Sequence, residues 1–97
     1  MYKRYWVYII TDKPYGTLYT GVTGDLFRRS YEHHESLYKG FAKKYRLKML
    51  VWYEEYPEIA DAIAREKQLK KWKRNWKIDL IQALNPRWRD LFEDLNK

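Results

Sequence analysis

Residues 5 to 11, Tyr-Trp-Val-Tyr-Ile-Ile-Thr, are apolar or aromatic at both alternating positions until Thr11. A strand with one wet face alternates apolar and polar side chains, so a run without a polar face must be covered on both sides. Its aromatic and β-branched residues pack well on a pleated surface. The run is therefore expected to be the central strand of a sheet.

Asp12-Lys13-Pro14-Tyr15-Gly16 carries turn chemistry, and Thr17 to Val22 reads as a second short strand closing a hairpin. Gly21 and Gly24 break the pattern, and Thr23 or Asp25 caps a helix running from Asp25 to about Tyr38. At about 100° per residue, Leu26, Phe27, Ser30, Tyr31, His34 and Leu37 gather on one side of that helix, with Arg28, Glu32 and Glu35 opposite. Arg29 and His33 share the border of the apolar stripe. Arg28 thus reads as a surface partner of Glu32, Arg29 as a residue aimed beside the core, and His34 as partly buried packing. Residues 38 to 45 look like a basic loop. Leu47 to Tyr53 is the third strand, with Leu47, Met49, Val51 and Tyr53 on one face. From about Glu58 the period turns helical, with Ile59, Ala62, Ile63 and Leu69 on one face, and the helix ends or bends between Trp72 and Asn75. A further helix carries Ile78, Leu80, Ile81 and Leu84. Asn85-Pro86 stops it, with Asn85 as N-cap and Pro86 in the first turn of a last helix holding Trp88, Leu91, Phe92 and Leu95. No repeat or low-complexity linker interrupts the 97 residues, a length for one compact domain spanning residues 1–97.

Charge narrows the partner. Lys plus Arg number 20 against 13 acidic residues, a formal net charge of +7, and aromatics make up 19% of the chain. That combination suits a polyanion with flat bases, and equally a basic protein whose aromatics fill a small core. The chain has no cysteine, which excludes a disulfide framework, a Cys-based zinc site and a thiol nucleophile. Two histidines are too few for most imidazole-built metal clusters. No stretch approaches the ~20 apolar residues of a membrane span, and a cytoplasmic location is expected.

Glu66 is the most anomalous residue, because it falls at the centre of the stripe made by Ile59, Ala62, Ile63 and Leu69. A buried carboxylate is costly unless it is paired or binds a metal. It either salt-bridges to a lysine at the helix edge or serves as ligand to a hard divalent cation. Magnesium takes one or two protein carboxylates and lets water and substrate phosphate complete its shell. Arg29 is either a solvated helix residue or a phosphate clamp, since its planar fork matches two phosphate oxygens. Tyr8 and Tyr19 would be core residues if taken alone. An even hairpin loop places Tyr8 opposite Tyr19 with both side chains on one face, and the shared face is expected. His33 could orient a water or a tyrosine hydroxyl. Arg65, Lys67, Lys70, Lys71, Lys73, Arg74 and Lys77 alternate with Trp72 and Trp76. They form a solvated helix face or, together with Lys43 and Lys44, a seat for a nucleic-acid backbone. The tryptophans either stack on unpaired bases or anchor one helix to another.

The ordered set of motifs resembles the small, stand-alone branch of the GIY-YIG nuclease superfamily over roughly residues 4 to 92. Trp6-Val7-Tyr8 stands for the first tripeptide and Tyr19-Thr20-Gly21 for the second. Gly21-Val22-Thr23-Gly24-Asp25-Leu26 then leads to Arg29 and His33, followed by Arg65-Glu66-Lys67-Gln68-Leu69-Lys70-Lys71-Trp72 and Asn85-Pro86-Arg87-Trp88. The resemblance implies an α+β fold with a three-stranded antiparallel sheet flanked by helices, and hydrolysis of DNA, structured or damaged DNA included. It implies one divalent ion, Mg2+ or Mn2+, held by Glu66. Arg29 becomes the phosphate clamp, Tyr8 and Tyr19 line the pocket with one helping to activate water, and His33 lies near the site. Gly21 and Asn85 fall at supporting positions, Asn85 being equally explained as a cap. Trp6 replaces the glycine of the family name and Thr20 its isoleucine, and neither change removes a reactive group. Larger members carry separate targeting domains and this sequence shows none, which leaves a protein partner or a homodimer to supply targeting. DNA is favoured over RNA. The rival readings are a non-catalytic nucleic-acid binder and a protein-interaction module.

Overall fold

The computed structural model describes residues 3–37 and 40–95. Strands β1 (Tyr5–Thr11), β2 (Leu18–Thr23) and β3 (Met49–Tyr56) form an antiparallel sheet in the order β2-β1-β3. Around it lie helices α1 (Leu26–His34), α2 (Phe41–Lys44), α3 (Ile59–Lys71) and α4 (Arg74–Leu84), and a 3-10 turn at Leu91–Asp94. The expected α+β architecture is present, with β1 in the centre.

Strand pleating sorts β1 into two cores. Val7 and Ile9 pack with Val51, Trp52, Ala62, Leu69, Ile81 and Trp88, beneath α3 and α4. Tyr8 and Ile10 point the other way, among Leu26 of α1, Ala42 of α2, Leu47, Leu50 and Leu91. Val7, Ile9 and Ile10 are fully buried, and a fully buried aliphatic side chain contributes roughly 1.5–3 kcal/mol. Both faces of the central strand are therefore committed to packing.

Several local readings are corrected. In β3 the register slips between Ile9 and Ile10, whose partners are Trp52 and Leu50, leaving Val51 as an extra residue. This bulge breaks strict alternation, so Met49 and Val51 face the α3 side whereas Leu47 and Tyr53 face the α1 side. The segment 38 to 45 is not all loop, because Phe41–Lys44 makes one helical turn anchored by buried Ala42. Ile59 and Ile63 are exposed, and α3 instead rests on Ala62 and Leu69. The last helix is a short 3-10 turn capped by Asp90, whose carboxylate accepts from Phe92 N at 3.0 Å and from Leu50 N at 3.1 Å.

Asn85 is the C-cap of α4 rather than the N-cap of the C-terminal turn. Its Nδ2 donates to Val51 O at 3.2 Å and to Arg89 O at 2.8 Å, and its Oδ1 accepts from Arg89 N at 3.0 Å. With its amide spent on backbone, Asn85 ties the C-terminal turn to β3.

Candidate active site

Helix α1 decides which side chains reach the Tyr8 face of the sheet. Asp25 caps it, accepting from Arg28 N at 3.0 Å, and Thr23 Oγ1 accepts from Asp25 N at 3.1 Å. Both residues serve the helix start, as expected. The helix ends earlier than its apolar pattern suggests, since Glu35 caps it and Ser36 adopts φ +58°; the expected end at Tyr38 lies outside the described residues. It is also rolled from the expected wheel. Leu26, Ser30 and His33 are buried, while Phe27, Tyr31, His34 and Leu37 are exposed. His34 is therefore not core packing: it sits 3.3 Å from Glu35 and stacks on Phe92. Phe27 also stacks on Phe92, so the aromatic stripe is satisfied partly by the C-terminal turn instead of the sheet.

The sheet places both tyrosines beside His33. Tyr19 pairs with Ile10 and Tyr8 with Gly21, so the tyrosines are diagonal neighbours rather than directly opposite. Since Tyr8 and Ile10 share a face, the expectation that Tyr8 and Tyr19 point to one side is met. Their ring centroids lie 6.5 Å apart, and the His33 ring lies 5.6 Å from Tyr8 and 6.0 Å from Tyr19. Gly21 makes this possible. A Cβ there would come within 2.5 Å of Tyr8 Oη and 2.6 Å of its Cζ. The Tyr8 ring thus lies across the glycine, toward the edge strand β2.

Tyr8 Oη lies 3.1 Å from His33 Nε2, both residues being buried. Burial, reinforced by the charge of Arg29 and opposed by that of Glu32, lowers the His33 pKa from 6.5 to about 4. The imidazole is consequently neutral near pH 7, with one donor and one acceptor nitrogen, so its tautomer sets the direction of the bond to Tyr8. Between pH 6.5 and about 4 the unfolded chain binds a proton that the native His33 refuses. Stability should therefore fall with pH across that window, by about 1–3 kcal/mol. Denaturant midpoints followed down through the window check this, and His33→Gln should flatten the slope; a slope that His33→Gln leaves unchanged would assign it to other groups.

Arg29, one turn before His33, is partly buried and donates from Nε to Glu32 Oε1 at 3.3 Å. Arg28 is the exposed one of the pair, 3.8 Å from the other oxygen of Glu32. Glu32 therefore pairs with both guanidiniums, Arg28 as expected and Arg29 as well. Both arginines line an open cavity of about 360 Å³ with Thr23, Gly24, Asp25 and Glu32. Arg29 thus borders this open cleft while its charge acts on the buried His33.

Glu66 occupies the other layer. It lies on α3 between Ala62 and Leu69, the stripe that packs on the Val7–Ile9 face. Its side chain is only 16% exposed, and its carboxylate lies 3.6 Å from Lys70 Nζ. The helix-edge ion pair is thus formed. Tyr8, Tyr19, His33 and Arg29 gather on one side of the sheet and Glu66 on the opposite side. They share strand β2: α3 packs against β1 and β2, while the Tyr8 ring reaches over Gly21 toward the same edge.

The family model of the GIY-YIG catalytic domain matches residues 4–79. This chain belongs to the GIY-YIG family. It is 38% identical over 89 residues to a UPF0213 protein of Syntrophus aciditrophicus, covering 89% of this chain and 97% of the relative. It is 31% identical over 78 residues to a UPF0213 protein of Staphylococcus saprophyticus, covering 80% and 94%. The solution NMR structure of a UPF0213 protein from Bacillus halodurans superposes with a TM-score of 0.56 at 25% identity, covering 90% of this chain and 92% of that one. GIY-YIG membership places the chain in a nuclease superfamily.

Within this GIY-YIG domain the basic residues separate by use. Arg65 donates to Glu54 at 3.0 Å and to Gln68 at 2.6 Å, and lies over the Trp72 ring at 5.2 Å. Arg74 Nη2 donates to the carbonyls of Tyr15 and Gly16 at 2.5 and 2.7 Å, pinning the β1–β2 turn to α4. Lys67, Lys71, Lys73, Lys43 and Lys44 are exposed. Trp72 packs against the core and meets Trp76 edge-on at 6.0 Å, which favours its anchoring role, while Trp76 stays half exposed. Phe41, stacked 6.2 Å from Tyr19, extends the cluster beyond the residues singled out in the sequence. A signal for it exists there, as Phe41 and Tyr45 are spaced i, i+4 in a basic stretch. Among the described residues no helix is long and apolar enough to cross a membrane.

Proposed function

We propose that the domain is an endonuclease that hydrolyses phosphodiester bonds in DNA with the help of one divalent ion, Mg2+ or Mn2+. The observation that carries this reading is the Tyr8 hydroxyl, held over Gly21 at 3.1 Å from a histidine kept neutral by burial and by Arg29. A phosphate laid against the β2 edge would be flanked by Arg29 on the α1 side and by α3 on the other. Tyr8 or Tyr19 would orient the attacking water, with His33 fixing the Tyr8 hydroxyl by accepting its hydrogen bond in the tautomer that leaves Nε2 bare. The Arg29 guanidinium, which cannot deprotonate, would stabilise charge gathering on the non-bridging oxygens.

The donor set fits a hard cation that needs little protein. Among the described residues no cluster of three or more His, Cys, Asp or Glu is present, and magnesium needs only one or two carboxylates. Glu66 would hold the ion, at the expense of its contact with Lys70. Bound there, the ion would polarise a phosphate oxygen.

The Glu66–Lys70 pair also supports a second reading, a domain that binds nucleic acid through its basic surface without cutting it. Cleavage of end-labelled DNA with Mg2+ or Mn2+ separates the two. The nuclease reading expects cleavage by the wild type and a loss of ~10²-fold or more in Arg29→Ala. Salt-sensitive binding without cleavage would favour the binder, and cleavage that survives Arg29→Ala would remove Arg29 from the site.

A further inference from the structure

An aromatic ladder leads from the buried cluster to the surface. The Tyr8 and Tyr19 rings are 6.5 Å apart, Tyr19 stacks on Phe41 at 6.2 Å with planes 21° apart, and Phe41 meets Tyr45 at 4.6 Å. Its outer rungs are not core. Ala42 and Leu47 anchor this segment in the core on the Tyr8 face, whereas Phe41 and Tyr45 are 48% and 46% exposed. Phe41 opens α2 and Tyr45 caps its C-terminus, and the i, i+4 spacing brings both rings to the same side.

The charge around the ladder names its occupant. From Gly40 to Tyr53 the chain has no acidic residue, while Lys43, Lys44, Arg46 and Lys48 are all exposed. Lys44 Nζ lies 5.5 Å from the Tyr45 ring centre. A second exposed aromatic surface, formed by Phe27, Tyr31, His34 and Phe92, is edged by Glu35 and Glu93, which would repel a polyanion; a third, Trp76 with Lys73 Nζ 5.8 Å from its ring, borders Asp79 on α4. Of these surfaces, the α2 ladder is the one that couples flat rings to positive charge without a neighbouring acidic residue in its own segment and that continues from the Tyr8 cluster. That pairing suits stacked bases on a tracked backbone.

We propose that Phe41 and Tyr45 are a base-stacking platform that takes one or two unpaired nucleobases next to a phosphate at the β2 edge, where Tyr19 lies. The inference uses the nuclease reading only to say where that phosphate sits. A base inside a duplex offers its faces to its neighbours and cannot stack on these rings. The platform therefore discriminates unpaired from paired nucleotides, and Lys43 and Lys44 hold the backbone on either side.

Metal-free anisotropy of a fluorescein-labelled oligo-deoxythymidylate, and of a duplex of equal length, tests this in the full-length chain with EDTA present. Phe41→Leu keeps apolar bulk against Tyr19 and Tyr45→Leu against Phe41, and each removes a π face. Each should weaken single-strand binding about tenfold and change duplex binding less than twofold, whereas Phe41→Trp should keep the wild-type affinity. Equal losses on both ligands, unchanged single-strand binding in the leucine variants, or equal competition by polyglutamate would overturn the proposal. Because no cleavage is measured, failure of the nuclease reading would leave this result standing, and the reverse holds too.

Discussion

Glu66→Gln should reduce metal-dependent cleavage by ~10²-fold or more while leaving the fold intact. The two halves of that expectation come from different features. Glutamine preserves the volume of a side chain wedged between Ala62 and Leu69, so no cavity opens beneath β1 and β2. The ion pair that is lost reaches Lys70 at 3.6 Å, and the Lys70 side chain is half exposed. Pairs of that kind contribute at most about 1 kcal/mol. The negative charge that would hold a cation is removed, however, and an amide oxygen is a poor substitute. Rates on an end-labelled oligonucleotide, read beside a thermal melt, separate these effects. A variant that melts normally and cuts at the wild-type rate would reduce Glu66 to the salt-bridged helix residue it also resembles.

Gly21→Ala is expected to cost about 2–3 kcal/mol of stability and most of the activity. The new methyl would stand 2.5–2.6 Å from the end of the Tyr8 ring, far inside contact distance. The ring has no route of escape, being 1% exposed and bounded by Tyr19 and His33. Removing the hydroxyl does not relieve the clash, because Cζ is as close as Oη. Tyr8→Leu would relieve it, so Gly21→Ala should be cheaper in a Tyr8→Leu background, with a coupling above about 1 kcal/mol in a double-mutant cycle. Cleavage should stay lost in the double variant. Additive costs would show that Gly21 serves β2 on its own account and not Tyr8.

This dependence is only half legible in the sequence. Alternation along Tyr5–Thr11 reveals the central strand and the shared tyrosine face, because pleating is a local property with a period of two. That Tyr8 lies over Gly21 depends on the pairing register, which the even loop from Asp12 to Thr17 constrains in parity but not in position. The roll of α1 escapes the sequence for a related reason. Phe27, Tyr31 and His34 outweigh Leu26, Ser30 and His33 in hydrophobic content, yet the smaller set faces the sheet and Phe92 covers part of the larger. A wheel weights side chains and knows nothing of the C-terminal turn. Periodicity alone puts Glu66 in its stripe. Which side of the sheet that stripe covers is a matter of topology, and there the sequence is silent.

The central claim is that Glu66, from beneath the sheet, and Tyr8 with Arg29, from above it, meet on one phosphate at the β2 edge. Anomalous diffraction from crystals of the Tyr8→Phe protein grown with Mn2+ and a short oligonucleotide tests it directly. The account predicts a single manganese peak at the Glu66 carboxylate and a phosphate that also contacts the Arg29 guanidinium. A phosphate seated on the Lys67–Lys73 surface away from Arg29, or manganese bound without Glu66, would contradict it.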